Sequence, residues 1–225
     1  MPATGLSTPA YVLLRERLRQ DILTGGWAPG EHRTLAVLAA RHGVSLSPVR
    51  EALLGLEGEG LVEIRQHRGA VVPVLDAALL GDLYDLRGAL QSLTARRAAE
   101  RATGAELKAI AAHAAAFSGA ARRGDAAEAL THNEAFHAAI DAAARSPQAG
   151  AVLGARTAFV NAVRLRLGYG PARLKRAAKQ HEAILDALRD RDAEAAAEAA
   201  FAHVEGAKRD LLERLGELDE GGRTT

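Results

Sequence analysis

The chain has 225 residues, enough for one large domain or two smaller ones with a buried core. Hydrophobic residues make up 48% and charged residues 25%, and 29 Lys and Arg stand against 28 Asp and Glu, which excludes a disordered chain and a histone-like polycation. The absence of cysteine excludes disulfides, thiolate zinc sites and a cysteine nucleophile. No apolar run approaches the roughly 20 residues of a membrane span, and the first residues lack a signal-peptide pattern. We therefore expect a soluble, cytoplasmic protein without a membrane partner.

The first part of the chain combines helical periodicity with a short β signal. A loose arm over residues 1–9 precedes a series of amphipathic segments separated by glycines. The predicted helices run from Tyr11 to Ile22, from Leu35 to Ala39 and from Ser45 to Leu56, and the predicted strands cover residues 61–65 and 70–74. Three helices followed by a hairpin are the element order of a winged helix-turn-helix with a small β-hairpin wing. We predict this domain over residues 1–75.

The composition changes after Pro73, and no strand signal follows. Glycine, proline and polar breaks divide the remainder into helical segments. They predict six helices, over residues 77–102, 105–123, 126–144, 148–167, 172–189 and 193–215. Helices of this length and number form an antiparallel bundle, so we predict a mainly α protein whose second domain covers residues 76–225. The tail from Gly216 onward is expected to fray.

Basic residues of the first domain are placed where DNA contact is feasible. Arg50 falls in the first turn of the third predicted helix, from which a side chain reaches base edges in the major groove. Arg65, His67 and Arg68 fall at the tip of the hairpin. The alternative for each of these residues is a solvated surface position.

Motifs in both domains resemble one family. The first set is Leu23 to Gly30, Leu38-Ala39, Gly43 to Leu53, Glu59 to Val62 and Arg68 to Val72; the second is Leu83 to Arg87, Ala95, Ala98, Ala99, Asn133 to His137, His181 to Ile184 and His203. The first set resembles the winged-helix domain of GntR-type bacterial transcription regulators, and the second resembles the FCD effector domain of the FadR branch. The resemblance implies DNA contacts from Ser45, Ser47, Arg50, Arg65, His67, Arg68 and Gly69.

Two positions depart from the pattern of that family. Leu46 stands where relatives carry an arginine that contacts DNA, and it cannot make the same contact. Ala36 stands where relatives place a basic or polar residue used for base contact. We therefore expect an operator that differs from those of typical relatives, or one bound with more reliance on Arg50 and the wing.

Spacing predicts that three histidines converge. From His181 about eight residues lead to a turn at 189–192, and about eleven return to His203, so antiparallel helices would bring the two rings to one level. Asn133 and His137 are four residues apart and share a helix face. Neutral imidazoles suit zinc, nickel, copper or iron(II). The alternative is a set of core histidines without a metal.

The resemblance also implies ligands for this site. Many relatives bind a divalent metal through an aspartate and three histidines, and here Asn133 takes the position of the aspartate beside His137, His181 and His203. The amide is a neutral and weaker ligand, so we expect a lower affinity for the metal, zinc or nickel, and a more positive site. In relatives an arginine at the position of Arg87 clamps a carboxylate, and Asn161 and Arg164 are further candidates for effector contact. An ion pair within the bundle is the alternative for Arg87.

These features predict a homodimeric transcription regulator that binds double-stranded operator DNA and a small organic acid. From the family we expect repression that the acid relieves. One rival is a metal-dependent enzyme built on the bundle, for which Glu182 is a poorly placed general base because adjacent helix residues point about 100° apart. Another is a DNA-binding protein whose bundle only dimerises.

Overall fold

The structure is a computed structural model that describes residues 8–65, 68–74, 76–153, 160, 164 and 170–221, with side chains as far as Glu217. The described chain is mostly helical and contains one small antiparallel sheet, as predicted. Its elements form two compact units, one from those before Asp76 and one from those that follow. None of the described helices has the length and apolar character needed to cross a bilayer.

Three helices build the first unit: α1 (Ala10–Leu23), α2 (Leu35–His42) and α3 (Leu46–Gly58). The Thr34 side chain accepts a hydrogen bond from the Val37 amide and so caps α2, which Gly43 ends in the left-handed conformation with φ 64°. Helix α3 tolerates Pro48 because first-turn amides have no partner within a helix. The largest fully buried side chains of this unit are Leu18, Trp27, Leu38, Leu53, Leu56 and Leu61. They form its core.

The sheet has three short strands rather than the two predicted. These are β1 (His32–Arg33), β2 (Glu63–Arg65) and β3 (Gly69–Val71), in the order β1–β3–β2. The prediction of strands over 61–65 and 70–74 was too long, and β1 was missed. A strand of two residues shows no alternation of polar and apolar side chains. Its conformation is set by pairing with β3, where His32 lies opposite Val71.

Gly69 allows β1 and β3 to lie close together. Its φ is +107°, and a Cβ atom at this position would lie 2.2 Å from the Arg33 carbonyl oxygen. The Arg33 side chain is itself buried, donates to Glu31 and to the Gly26 carbonyl, and lies 5.2 Å from the centre of the Trp27 ring. Arg33 therefore has a structural role.

Side-chain contacts hold α3 to its neighbours. The Ile64 amide in β2 donates to the Glu57 Oε1 atom at 2.9 Å, which ties the wing to the end of α3. The Arg19 Nε atom in α1 donates at 2.8 Å to Glu59, the residue that directly follows α3. Both α1 and β2 are thus anchored to the C-terminal end of α3 through the short stretch from Glu57 to Glu59.

The second unit is a helical bundle in which each of the six predicted helices has described residues. Its helices are α4 (Ala77–Arg101), α5 (Gly104–Arg123), α6 (Ala126–Ala143), α7 (residues 147–153), α8 (Pro171–Arg189) and α9 (Ala193–Gly221), and Arg164 is a further helical residue of this unit. Helix α4 packs along α9, α5 against α6 and α8, and α8 against α9. The expectation of a frayed tail from Gly216 was wrong as far as Gly221, because α9 continues to that residue. A glycine inside a helix costs only about 1 kcal/mol, and the burial of Leu211 and Leu215 offsets this.

Local signals explain why these helices begin where they do. Asp76 and Asp125 cap α4 and α6 by accepting backbone amides, and Thr103 with Glu106 forms a complete capping box at α5. Much of the buried surface between the helices is alanine, which permits close approach. The larger fully buried side chains are Leu80, Tyr84, Ile110, Phe136, Ile184 and Leu188. This packing positions the polar groups of the bundle.

Candidate functional site

Three histidines from different helices meet in the interior of the bundle. His137 lies on α6, His181 on α8 and His203 on α9, and all three are buried. The ring centres are 5.5 Å apart for His137 and His181, 5.0 Å for His137 and His203, and 4.8 Å for His181 and His203. Each ring contributes one nitrogen atom that can bind a metal, and these three nitrogen atoms all lie within 4.8 Å of one another. The structure therefore brings together the three histidines singled out in the sequence.

The reversal of the chain after α8 places two of these rings. Helix α8 ends at Arg189, Arg191 adopts a left-handed φ of 60°, and α9 begins at Ala193. The turn is closed by the Asp192 amide, which donates to the Ala187 carbonyl at 3.0 Å. Because α8 and α9 pack along each other, residues about equally far from the turn lie side by side.

Aromatic rings enclose one side of the cluster. The His181 ring stacks on Phe136 with centres 4.3 Å apart and meets Phe117 edge-on at 4.5 Å. Neither His181 ring nitrogen has a hydrogen-bond partner among the described residues. A buried polar atom of this kind costs free energy unless a partner supplies the missing interaction. The His181 ring thus offers a lone pair to the centre of the cluster.

Burial and positive charge keep the imidazoles neutral. Loss of contact with water, reinforced by Arg173 and Arg164, lowers the pKa of His181 to about 3. Burial likewise holds the pKa of His137 and of His203 well below the ordinary value, with the neighbouring histidines and arginines acting in the same direction. Neutral imidazole is the form that binds a metal.

A glutamine fixes the orientation of His203. The Gln180 Oε1 atom lies 3.2 Å from His203 Nδ1 and accepts a hydrogen bond from Arg173 at 3.0 Å, while Gln180 Nε2 donates to the Ala202 carbonyl at 3.4 Å. With the amide oriented in this way, His203 Nδ1 carries the proton and donates it to Gln180. The His203 Nε2 lone pair then points toward His137 Nε2, 3.2 Å away.

The interaction chain continues to α9. The Arg173 Nε atom lies 3.4 Å from Asp210 Oδ2, and both side chains are largely buried. Gly206 leaves room for this arrangement, because a Cβ atom there would lie 3.0 Å from Gln180 Nε2 and 3.3 Å from an Arg173 nitrogen. Asp210, Arg173 and Gln180 thus form a second layer behind His203, of the type that orients metal ligands.

The residues of the cluster fit a divalent metal. Two nitrogens bound to one zinc ion at about 2.1 Å are about 3.0 to 3.4 Å apart, which matches the 3.2 Å between His137 Nε2 and His203 Nε2. Asn133 is buried one turn before His137 on α6, and its Nδ2 atom has no partner among the described residues. Three neutral nitrogens with one amide suit zinc or nickel better than magnesium or calcium, which prefer oxygen ligands.

Buried arginines surround the histidines. Arg87 on α4 and Arg164 are buried, and the Arg164 Nε atom donates to the Tyr84 hydroxyl at 3.0 Å. The positive charges of Arg87 and Arg164 contribute to the lowered pKa of His137, so both arginines lie close enough to influence the histidine cluster. Asn161, the remaining predicted effector contact, lies outside the described residues. Arg87 and Arg164 therefore place positive charge near the histidines, a feature that favours an anionic ligand there.

Sequence reasoning missed Arg173 and Gln180. Arg173 is buried because it shares the inward stripe of α8 with Ala177, His181 and Ile184. An arginine at a core position of an amphipathic helix is a detectable signal. Gln180 lies beside that stripe, and its importance arises only from groups on α9.

In the first unit, α3 presents a mixed surface. Val49, Leu53 and Leu56 face the core, whereas the outward residues are Leu46, Ser47, Arg50, Glu51 and Leu54. Ser45 precedes the helix and is exposed, and Ser47 Oγ lies 3.4 Å from a Glu51 carboxylate oxygen. These positions make α3 available for contact over its whole first turn.

A depression of about 470 Å³ lies between α2, α3 and the wing. Arg50, Arg65 and Arg68 line it and are exposed, together with Leu46 and Ala36. Gly69 also borders it, but the residue is buried against β1, so only its backbone is available to a ligand. His67 lies outside the described residues. The three arginines give the depression a positive rim suited to phosphate or base contacts.

The chain matches two protein families over most of its length. Residues 10–72 match the family described as "Bacterial regulatory proteins, gntR family", and residues 82–206 match the FCD domain. The HTH-type transcriptional regulator YdhC of Bacillus subtilis (strain 168) is 25% identical over 197 residues, which cover 87% of this chain and 88% of that protein. The HTH-type transcriptional repressor RspR of Escherichia coli (strain K12) is 37% identical over 86 residues, 38% of each chain.

Solved structures share the fold. The structure of E. coli McbR/YncC superimposes with a TM-score of 0.69 at 21% sequence identity, covering 92% of this chain and 99% of that one. The agreement extends through both units, as the two family matches do. The chain belongs to the GntR family of bacterial transcription regulators and carries an FCD domain after its winged helix-turn-helix.

Proposed function

We propose that this protein is a ligand-responsive transcription regulator in which residues 1–75 bind operator DNA and residues 76–225 bind a small carboxylate beside a metal ion. The observation that carries the proposal is the buried cluster of His137, His181 and His203 within the electrostatic influence of Arg164 and Arg173. The buried His181 ring has no hydrogen-bond partner among the described residues, which costs free energy. Binding of a metal would offset that cost.

The DNA contacts are assigned to the exposed residues around α3 and the wing. Arg50 would donate to a base edge, and Arg65 and Arg68 would contact phosphates or the adjacent groove. Ser45 and Ser47 would contact the backbone near the N-terminus of α3, where amide groups favour phosphate. Gly69 would take part through its main chain. His67, which the sequence predicts at the tip of the hairpin, completes the proposed set.

Asn133, His137, His181 and His203 would hold the metal. A zinc or nickel ion bound there supplies a positive centre that attracts a carboxylate oxygen. The residues of the chain supply the remaining recognition: Arg87 and Arg164 would donate to the carboxylate, with Asn161 as a third candidate contact. The neutral Asn133 leaves the site one charge more positive than an aspartate would, which favours an anionic effector.

The regulator would act as a homodimer, because one winged helix reads a short half-site and two copies related by a two-fold axis read a palindrome. We infer repression that the effector relieves, a mode supported by the similarity to RspR, which is named as a repressor. The effector must bind more tightly to one arrangement of the dimer than to the other, since only differential affinity shifts the equilibrium. Acting on chromosomal DNA, the protein would work in the cytoplasm.

A metal-dependent enzyme is the less favoured alternative. Glu182, the nearest acidic residue in sequence to His181, is exposed whereas His181 is completely buried, so the two side chains point to different environments. The families and relatives that match the chain are transcription regulators.

The proposal is tested by gel shift with duplexes from the promoter region beside the gene, in the presence of zinc and a panel of small carboxylates. We expect a specific complex at nanomolar to micromolar protein, weakened by at least one acid that also raises the melting temperature. Arg50→Ala should weaken the complex by about 1–3 kcal/mol and reduce discrimination against unrelated DNA. Arg122→Ala, an exposed arginine on α5, is the matched control and should leave binding unchanged.

Two results would overturn parts of the proposal. If the protein binds no promoter duplex specifically, it does not act as a DNA-binding regulator. If the protein binds DNA specifically but no acid changes its melting temperature or its DNA complex, the bundle serves only for dimerisation.

A further inference from the structure

The first turn of α3 exposes an apolar side chain where polar residues surround it. Leu46 is 51% exposed, and its sequence neighbours Ser45 and Ser47 are exposed as well. Leu54, which is 55% exposed, is a second apolar side chain on the outward face of α3, one turn beyond Arg50, so Leu46 is the exposed leucine at the N-terminal end of that face. The position is the one at which relatives were expected to carry an arginine.

Leu46 and Arg50 lie on the same side of α3. They are four residues apart, so their side chains are neighbours on the helix surface, separated by about 6 Å along the axis. Both line the depression between α2, α3 and the wing. A duplex that brings a base edge to Arg50 therefore also brings a base edge close to Leu46.

The chemistry of Leu46 limits what it can recognise. A leucine has no hydrogen-bonding group, so it gains nothing from a phosphate or from the polar edges of guanine, cytosine and adenine. The C5-methyl group of thymine is the apolar feature that the major groove presents. Burial of that methyl group against Leu46 removes apolar surface of both partners from water.

We propose that Leu46 contacts the C5-methyl group of a thymine and so specifies a T·A base pair in each operator half-site. The inference rests on the proposed function of α3 as the DNA-reading helix. Base pairs are stacked about 3.4 Å apart, so the thymine lies within about two base pairs of the base that Arg50 contacts.

The test replaces each thymine of a bound operator with deoxyuridine, one symmetric pair at a time, which removes only the methyl group. For the wild-type protein we expect one position per half-site at which replacing the symmetric pair weakens binding about 15-fold, about fourfold for each of the two methyl groups removed. Leu46→Ala should bind the thymine and deoxyuridine operators equally. Leu13→Ala, which truncates a leucine that is 53% exposed on α1, should retain the wild-type sensitivity.

The outcomes separate this inference from the proposed function. Suppose that the wild-type protein binds the operator and Arg50→Ala weakens binding, but no deoxyuridine replacement changes the affinity. This result overturns the role of Leu46, whereas the proposed function as a regulator stands. The same holds if Leu46→Ala keeps the full methyl sensitivity. Absence of specific binding to any promoter duplex overturns both. Circular dichroism of Leu46→Ala checks folding, which the exposure of the side chain predicts to be unchanged.

Discussion

His137 and His203 face each other across α6 and α9 with their Nε2 atoms 3.2 Å apart. Since Gln180 fixes the proton of His203 on Nδ1, its Nε2 atom is an acceptor. Without a metal, His137 must then supply the proton shared between the two nitrogens. A bound metal would be held by both Nε2 atoms, so its binding would displace the proton that the two rings share.

The first prediction concerns metal removal. Protein purified without chelator should contain a divalent ion at substoichiometric to stoichiometric level, and EDTA should lower its melting temperature, since a ligand of the folded state stabilises that state. Replacing His137, His181 and His203 together with alanine should abolish the metal. Elemental analysis and thermal melts measure both effects. His113→Ala, on α5 and outside the cluster, is the control; equal metal content in the triple variant would refute the site.

The second prediction concerns the amide ligand. Asn133→Asp adds a negative charge beside the cluster, so the affinity for zinc should rise and the affinity for a carboxylate should fall. Competition with a chromophoric chelator measures the first change and calorimetry the second. If the metal affinity of Asn133→Asp equals that of the wild type, residue 133 is not a ligand.

The third prediction concerns the residue that orients His203. Gln180→Leu removes the acceptor of the Nδ1 proton, and the loss of such a partner lowers metal affinity by about 10- to 100-fold. Gln180→Glu keeps an oxygen at that place and should keep most of the affinity. Chelator competition on the refolded, metal-free proteins measures both variants. Glu182→Gln, exposed on the same helix, should behave as wild type, and an unaffected Gln180→Leu would remove Gln180 from this role.

The fourth prediction concerns pH. In the metal-free protein His181 has a pKa of about 3, whereas in the unfolded chain it has its ordinary value near 6.5. Between these values the unfolded state binds more protons, so the free energy of unfolding should decrease as the pH falls from about 6.5 toward 3. Arg173 and Arg164 strengthen the effect by disfavouring a charged imidazole.

The contribution of His181 is isolated with His181→Phe, which keeps an aromatic ring against Phe136. Urea unfolding of both proteins with EDTA at pH 7 and pH 5 should give a smaller loss of stability for the variant. Equal losses in the two proteins would show that the protonation of His181 is not linked to folding.

Local signals made the helical part of the fold predictable. Thr103 with Glu106 marks the beginning of α5, and the spacing of His181 and His203 about the turn at 190–192 predicts their convergence. These features depend on residues close together in the chain. Periodicity and capping therefore suffice to locate them.

Features that depend on distant partners were not predictable. Strand β1 exists because β3 pairs with it, and two residues carry no pattern of their own. The role of Gln180 depends on Arg173, His203 and the space left by Gly206. A side chain whose function is defined by groups on another helix leaves no trace in local sequence.

The hydrogen bond from the Ile64 amide to Glu57 has a consequence for the operator. It joins β2 to the C-terminal turn of α3 and so helps to hold the arginines of the wing at a fixed distance from the α3 residues that are proposed to enter the groove. DNA must then present its two contacted regions at one separation, in phase with the helical repeat. An inserted base pair between them would break one set of contacts whatever its identity, which makes spacing a determinant of recognition alongside base sequence.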